Sequence, residues 1–327
     1  MNPFYSLWTQ LRPLEYPSAD CSGKTVLVTG ANSGLGFEAA CHFVRLGAKV
    51  ILGCRDMERG AHAKAAIEMS VLQASEGVVE IWQVDLASFA SVRAFCTRAA
   101  ELDRLDIIVA NAGIQLGHFH VAEGYERQVT VNAISTFLMA VLLLPVLKRS
   151  AAAHGSQARI TIVGSNAQRW TSIRHDDTNP IFESMRGGQN MQMRYGVSKL
   201  LILLATRELA DRIANKLDMQ HLVTVNIAEP GLCKSQLFRE AVFPTSWLMA
   251  VLVPLLGRTS EMGSRCLVHA ATAGEDTHGK YLEDCGFGDE GSWVRSAKGA
   301  VAQKRVFDEL LDIIEGISPG SSELLRE

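Results

Sequence analysis

The sequence predicts an α/β fold: a doubly wound, largely parallel sheet of about seven strands with helices on both faces. Three observations carry that expectation. From Lys24 onward, short β-branched runs alternate with helical stretches, at 25–28, 49–52, 78–81, 106–109, 159–163 and 222–225. Strands separated by helical patterns are joined through crossovers and lie parallel. The runs are apolar on both faces, which suits a sheet covered on both sides. The first run leads without a break into a glycine-rich turn at 29–37 and then an amphipathic helix, an arrangement that can receive an anion on backbone N–H groups.

Length and composition set the outer limits. With 327 residues, 47% hydrophobic and 20% charged, the chain has the material for one large core. Residues 1–23, with Pro3, Pro13 and Pro17, read as an irregular N-terminal arm, because no basic segment is followed by an apolar one. Residues 24–327 read as a single domain. Basic and acidic residues are interspersed and the net charge is -3, so the concentrated positive field that nucleic-acid binding requires is missing. Seven scattered cysteines, never spaced as CxxC, read as reduced thiols and not as a metal site. Together with the lack of an N-x-[ST] acceptor, this points to the cytoplasm. The apolar stretches 137–147 and 241–256 are shorter than the roughly 18–20 residues of a membrane-spanning helix.

The turn after the first run, Thr29-Gly30-Ala31-Asn32-Ser33-Gly34-Leu35-Gly36, has the spacing GxxxGxG. Glycine there permits the tight turn and lets the backbone approach a pyrophosphate with no Cβ in the way. At the end of the second run the first charged residue is Arg55, with Asp56 beside it. A guanidinium pairs with a ribose 2′-phosphate, whereas an acidic side chain accepts from a 2′-hydroxyl. Asp85-Leu86 follows the third run, where Asp85 also suits an N-cap for the helix near Ser88. Asn111-Ala112-Gly113 closes the fourth run and by itself is a turn. Asn132 is a polar residue in the apolar helix that follows, and Ser165 ends the fifth run. The polar interval after it, with Asn179-Pro180 and Gly187-Gly188, reads as a long loop of the kind that tends to be functional.

Tyr195-Gly196-Val197-Ser198-Lys199 then opens a helix, so that Tyr195 and Lys199 share one face at i and i+4. An ammonium about 5 Å from a phenol, at an effective dielectric near 20, favours the phenolate by roughly 3 kcal/mol, about two pKa units. That would carry Tyr195 toward the range where a general acid/base works best. The sixth run passes into Asn226-Ile227-Ala228-Glu229-Pro230-Gly231-Leu232-Cys233-Lys234-Ser235, where Pro-Gly marks a turn. A last helix, about 302–316, follows a glycine-rich stretch at 286–291.

These motifs, in this order over about 24–282, resemble the short-chain dehydrogenase/reductase family. Gly53-Cys54-Arg55-Asp56 and the lengthened interval before Tyr195 resemble its retinol-dehydrogenase-like branch. The stretches 195–201 and 278–282 are similar to fungal members met in polyketide or terpenoid biosynthesis. The resemblance implies a Rossmann-type fold and hydride transfer between a nicotinamide and a C=O or CH–OH carbon. It implies a catalytic set of Asn132, Ser165, Tyr195 and Lys199. It also implies cofactor contacts from Gly30, Asn32, Ser33, Gly34, Leu35 and Gly36 at the pyrophosphate, and from Asp85 and Leu86 at the adenine. Asn111, Ala112 and Gly113 would line the adenosine ribose, Tyr195 and Lys199 the nicotinamide ribose, and Pro230, Gly231 and Ser235 the carboxamide, with pro-S transfer. Arg55 favours NADP(H), with NAD(H) the alternative that Asp56 leaves open. Three positions depart from the family pattern: Gly164-Ser165 replaces Ser-Ser, Ser135 stands for a glycine after Asn132, and Ser235 stands for threonine.

Residues about 232–260 lie where the family places its mobile substrate cover, and Phe238, Phe243, Trp247, Leu248 and Met249 would form an apolar wall. The expected substrate is a lipophilic ketone, aldehyde or secondary alcohol. One alternative is a retinol- or steroid-type dehydrogenase touching a membrane surface through 241–256, which Pro244, Pro254 and the lack of flanking lysines oppose. Another is a non-catalytic sensor of dinucleotide redox state, which the presence of Asn132, Ser165, Tyr195 and Lys199 opposes. A hydrolase is disfavoured by the lack of a ligand cluster and of a GxSxG elbow. Helix 134–147 suits burial against the sheet and a homodimer interface equally.

Overall fold

The computed structural model describes residues 9–71, 77–173, 180–216, 221–240, 242 and 245–326. Its strands are β1 (Thr25–Thr29), β2 (Lys49–Cys54), β3 (Val79–Gln83), β4 (Ile107–Ala110), β5 (Val121–Ala122), β6 (Tyr125–Glu126), β7 (Ala158–Val163), β8 (Val223–Glu229), β9 (Tyr281–Glu283) and β10 (Gly286–Phe287). Eight of them form one sheet in the order β10-β9-β8-β7-β4-β1-β2-β3, and β5 and β6 form a separate short hairpin. Every pairing in the large sheet is parallel except β9 with β10. The six runs read from the sequence are β1, β2, β3, β4, β7 and β8. The glycine-rich stretch at 286–291 contributes a further strand, β10, because Asp284 and Cys285 take positive φ and turn the chain back on β9.

The helices are α1 (Gly34–Arg45), α2 (Met57–Ser70), α3 (Phe89–Ala100), α4 (Arg127–His154), α5 (Met191–Ala214), α6 (Thr245–Leu256), α7 (Ser260–Thr272) and α8 (Ala297–Ile317). One face of the sheet is covered by α3, α4, α5 and α8, which bury Phe95, Phe137, Leu204 and Phe307. The other is covered by α1, α2 and α7 through Phe43, Ile67 and Leu267. The chain runs outward from β1 through β2 to β3, then returns to lay β4 on the other side of β1. At such a switch point the connections diverge and leave a crevice outside the carboxyl ends of the strands.

Several boundaries differ from the sequence reading. Helix α4 is 28 residues long and apolar enough to cross a membrane by length and composition, so the 137–147 stretch understates it; 89% of its most apolar window is buried inside the protein. The interval before Tyr195 contains 3-10 turns at Asn166–Trp170 and Glu183–Met185, while Asn179 lies outside the described residues. Tyr195 does not open α5 but stands one turn inside it, since the helix begins at Met191. Helix α8 starts at Ala297, ahead of 302, because the Ser296 hydroxyl accepts from Gly299 N at 3.2 Å and caps it. The described part of the arm is not loose: Leu14 and Cys21 are buried, and Cys21 N donates to Leu46 O at 2.9 Å.

Candidate active site

A crevice of about 1040 Å³ opens at the carboxyl ends of β1 and β4, a volume at the upper end of small-molecule sites. Gly30, Asn32, Ser33, Gly34 and Leu35 line one end of it. Gly30 and Gly34 sit at φ +65° and +60°, the left-handed region that glycine adopts without strain. No side chain caps the N-terminus of α1, where Ser33 is the N-cap. Gly36 is behind the crevice wall: a Cβ there would lie 2.5 Å from Asn111 Nδ2 and 2.6 Å from Gly30 O. Asn111 in turn donates from Nδ2 to Thr29 O at 2.9 Å, and the Thr29 hydroxyl accepts from Asn111 N and Ala112 N. The Asn-Ala-Gly turn therefore ties the end of β4 to the end of β1. Gly36→Ala is expected to lower unfolding free energy by about 1–3 kcal/mol through this overpacking, read by urea denaturation.

At the far end, Arg55 is exposed and lines the crevice. Asp56 lines it too, with its Oδ1 accepting from Arg59 N at 3.1 Å to cap α2 and its Oδ2 3.5 Å from Arg59 Nε. Arg59, which the sequence reading passed over, lines the crevice beside Arg55. Asp85 and Leu86 also line it, but Asp85 is not the cap of α3. Ser88 is, accepting from Ser91 N at 3.3 Å, while Asp85 Oδ1 accepts from Ala87 N. Ala112 and Gly113 line the middle of the crevice, and Pro230, Gly231 and Ser235 the other end.

There Ser165, Tyr195 and Lys199 converge. Ser165 follows β7 by two residues and caps the 3-10 turn Asn166–Trp170, its hydroxyl accepting from Ala167 N at 3.2 Å. Its hydroxyl also favours the ionised form of the Tyr195 phenol. Lys199 Nζ donates to Val163 O at 2.8 Å and stands 5.8 Å from the centre of the Tyr195 ring. Asn132 lies in a π-turn, Thr130–Ile134, within α4, an irregularity common at functional sites. Its amide is committed: Nδ2 donates to Ile114 O and to the Ser198 hydroxyl, and Oδ1 accepts from Ile114 N.

The spacing of Tyr195 and Lys199 is as expected, but its electrostatic consequence is not. Burial pushes the Tyr195 phenol up to about 12; the Ser165 hydroxyl opposes this and the Glu229 carboxylate adds to it. Burial likewise brings the Lys199 ammonium down to about 8. Removal from water penalises both charged forms, and it is the largest cause of each shift. Glu229, at the end of β8, is another titratable group on the crevice wall that the sequence reading passed over. It is 3% exposed, and burial beside Glu283 raises it to about 7. Its Oε2 accepts from Gly231 N at 2.9 Å.

The cover lies over this end. Phe238 and Met249 line the crevice, joined by Leu252 and Leu256. Trp247 and Leu248, expected in the same wall, instead face outward at 66% and 46% exposure, because Met249, Leu252 and Leu256 take the inward stripe of α6. Phe243 lies outside the described residues. The cover rests on the loop after β4, where Gly117 N donates to Glu240 O at 3.0 Å.

The family model described as short chain dehydrogenase matches residues 24–174. The chain is 40% identical over 326 residues to the short chain dehydrogenase/reductase dmxR8 of Cryptosporiopsis sp., covering 96% of this chain and 98% of that one. It is 41% identical over 290 residues to the short chain dehydrogenase atnD of Emericella nidulans, covering 87% and 90%. Among solved structures, the Pseudomonas aeruginosa RhlG/NADP active-site complex is similar at 27% identity and a TM-score of 0.60, covering 81% of this chain and 95% of that one. A 3-ketoacyl-(acyl-carrier-protein) reductase from Brucella melitensis, complexed with NADH, shares the fold at 22% identity and a TM-score of 0.58, covering 80% and 96%. With sequence likeness running almost end to end through such relatives, the chain belongs to the short-chain dehydrogenase/reductase family of NAD(P)-binding oxidoreductases.

Proposed function

We propose that the protein reduces a lipophilic ketone or aldehyde with NADPH, on a small molecule of the secondary-metabolite kind. The observation that carries this reading is the meeting of Ser165, Tyr195 and Lys199 under an apolar cover at one end of a glycine-lined crevice. The turn through Gly30, Asn32, Ser33, Gly34 and Leu35 on the crevice wall fits a dinucleotide pyrophosphate: a Cβ at Gly34 would meet nothing nearer than 3.9 Å, while Gly30 and, behind the wall, Gly36 are packed too closely on Asn111 and Ala112 or Gly30 to carry one. When bound, the nicotinamide supplies the hydride. The Ser165 hydroxyl donates to the substrate oxygen as negative charge grows there. The Tyr195 phenol, held at about 12, stays protonated at neutral pH and delivers its proton to that oxygen. Lys199, charged below about 8, faces the phenolate left behind and offsets its charge. Met249, Leu252 and Leu256 exclude water and receive an apolar substrate body.

Arg55 and Arg59 support the phosphorylated cofactor, since both stand at the same end of the crevice, where the Asp56 carboxylate caps α2 and pairs with Arg59 at 3.5 Å. Arg55→Ala is expected to weaken NADPH about 10–100-fold, the range of one lost charge-assisted bond, and to leave NADH unchanged, measured by titrating cofactor fluorescence. Equal losses for both cofactors would refute the phosphate assignment. The reading as a whole is tested by following NADPH absorbance against a panel of lipophilic ketones and aldehydes. Absence of turnover with every one of them, alongside intact NADPH binding, would count against a reductase.

The outward stripe of α6, with Trp247 at 66% and Leu255 at 72% exposure, favours a second reading in which the cover also touches a membrane surface. Co-sedimentation with phosphatidylcholine vesicles, lost in Trp247→Ala, is the expected result.

A further inference from the structure

The stems of the cover meet each other before they enter the fold. Residue Cys233 bridges Arg258 in parallel, Arg258 N donates to Leu232 O at 2.8 Å, and Lys234 N donates to Arg258 O at 2.8 Å. Onto this junction the N-terminal arm sends one side chain. Gln10 Nε2 donates to Leu232 O at 2.8 Å and to Leu256 O at 3.0 Å, and Gln10 Oε1 accepts from Leu232 N at 3.1 Å. One amide therefore grips the first stem and the last residue of α6 together, across a sequence gap of 222 to 246 residues.

The surroundings are shaped for that grip. Gly231 has φ +79°, and a Cβ there would lie 2.6 Å from Gln10 Oε1 and 2.9 Å from Arg258 Nη1, so glycine is what lets the arm approach the Pro-Gly turn. Arg258, whose side chain is 1% exposed, holds the arm's backbone in place. Its Nη2 donates to Thr9 O at 2.6 Å, its Nε to Gln10 O at 3.1 Å and its Nη1 to Pro230 O at 3.3 Å, and Nη2 is anchored to Asp284 Oδ1 at 2.6 Å. Gln10 also lines the crevice beside Pro230, Gly231 and Leu232.

We propose that Gln10 is a positioning residue that pins both stems of the substrate cover, so that the N-terminal arm sets how the cover lies over the Tyr195 end of the crevice. The assignment of the cover rests on the reductase reading above, whereas the pin itself is read without turnover. Two substitutions separate its bonds. Gln10→Met keeps the length and removes all three; Gln10→Glu keeps an acceptor for Leu232 N and loses both donors.

The test is hydrogen–deuterium exchange by mass spectrometry on the full chain, with and without NADPH. In Gln10→Met, peptides spanning 232–256 are expected to exchange at least about tenfold faster, the equivalent of one broken hydrogen bond or more. Peptides from β1, β4 and β7 should keep their rates. In Gln10→Glu, the 245–256 peptides should be released while Leu232 stays protected. Unchanged exchange over 232–256 in Gln10→Met, or a rise shared equally by the central strands, would overturn the proposal. Either outcome leaves the Tyr195 chemistry standing, and an inactive enzyme with a selectively released cover would leave the pin standing.

Discussion

Tyr195→Phe is expected to cut NADPH-dependent ketone reduction by about 10²–10⁴-fold, the span attributable to one positioned proton donor. NADPH affinity should weaken by less than about tenfold, since only a neutral hydroxyl bond worth about 1 kcal/mol is lost. The ring keeps its place on α5, and Ser165 and Lys199 keep their supports at Ala167 N and Val163 O, so the loss belongs to the proton. The pH profile adds a second signature. A phenol at about 12 remains an acid throughout the neutral range, so reduction should be level there and fall as Lys199 loses its charge above about 8. Alcohol oxidation needs the phenolate and should instead rise with pH. Full reductase activity in the phenylalanine variant, measured by NADPH absorbance, would remove Tyr195 from the mechanism.

Local pattern made the glycine turn, the six parallel strands and the i, i+4 pair legible, because each depends on neighbours a few residues apart. The electrostatics of that pair were not legible. Spacing gives the distance between an ammonium and a phenol but says nothing of how much protein surrounds both, and here burial reversed the expected shift. Orientation of α6 escaped for a related reason: Met249, Leu252 and Leu256 form one stripe and Trp247, Leu248, Val251 and Leu255 another. When both faces are apolar, periodicity cannot say which is inward. Arg59 was within reach, being one turn after Arg55 at the start of α2. Gln10 was not, since its partners lie at Leu232 and Leu256 and no local pattern anticipates them.

Glu229→Gln is expected to stabilise the protein at pH 8 by up to about 3 kcal/mol, the energy equivalent of its displaced titration. In the unfolded chain this carboxyl titrates near its ordinary 4.5, and in the folded protein near 7. Between these values the folded state binds the extra proton, so the stabilising contribution is complete below 4.5 and disappears as pH rises through 7. Above that, the fold carries an ionised carboxylate with little compensation. Its neighbour Arg169 is taken by Glu283 at 2.6 Å, and Gly231 N is the protein donor to its Oε2. Glutamine keeps an acceptor for that N–H and brings no charge. Urea unfolding at pH 4 and pH 8 should therefore show the variant's advantage only at the higher pH; an equal difference at both would trace the effect to packing. The same substitution bears on chemistry, because the ionised carboxylate raises the Tyr195 phenol. Without it the phenol should titrate lower, and alcohol oxidation should begin at lower pH while the decline of reduction, governed by Lys199, stays in place. A carboxylate that weakens the fold once ionised and adds to the burial that raises the proton donor is placed where stability and function meet.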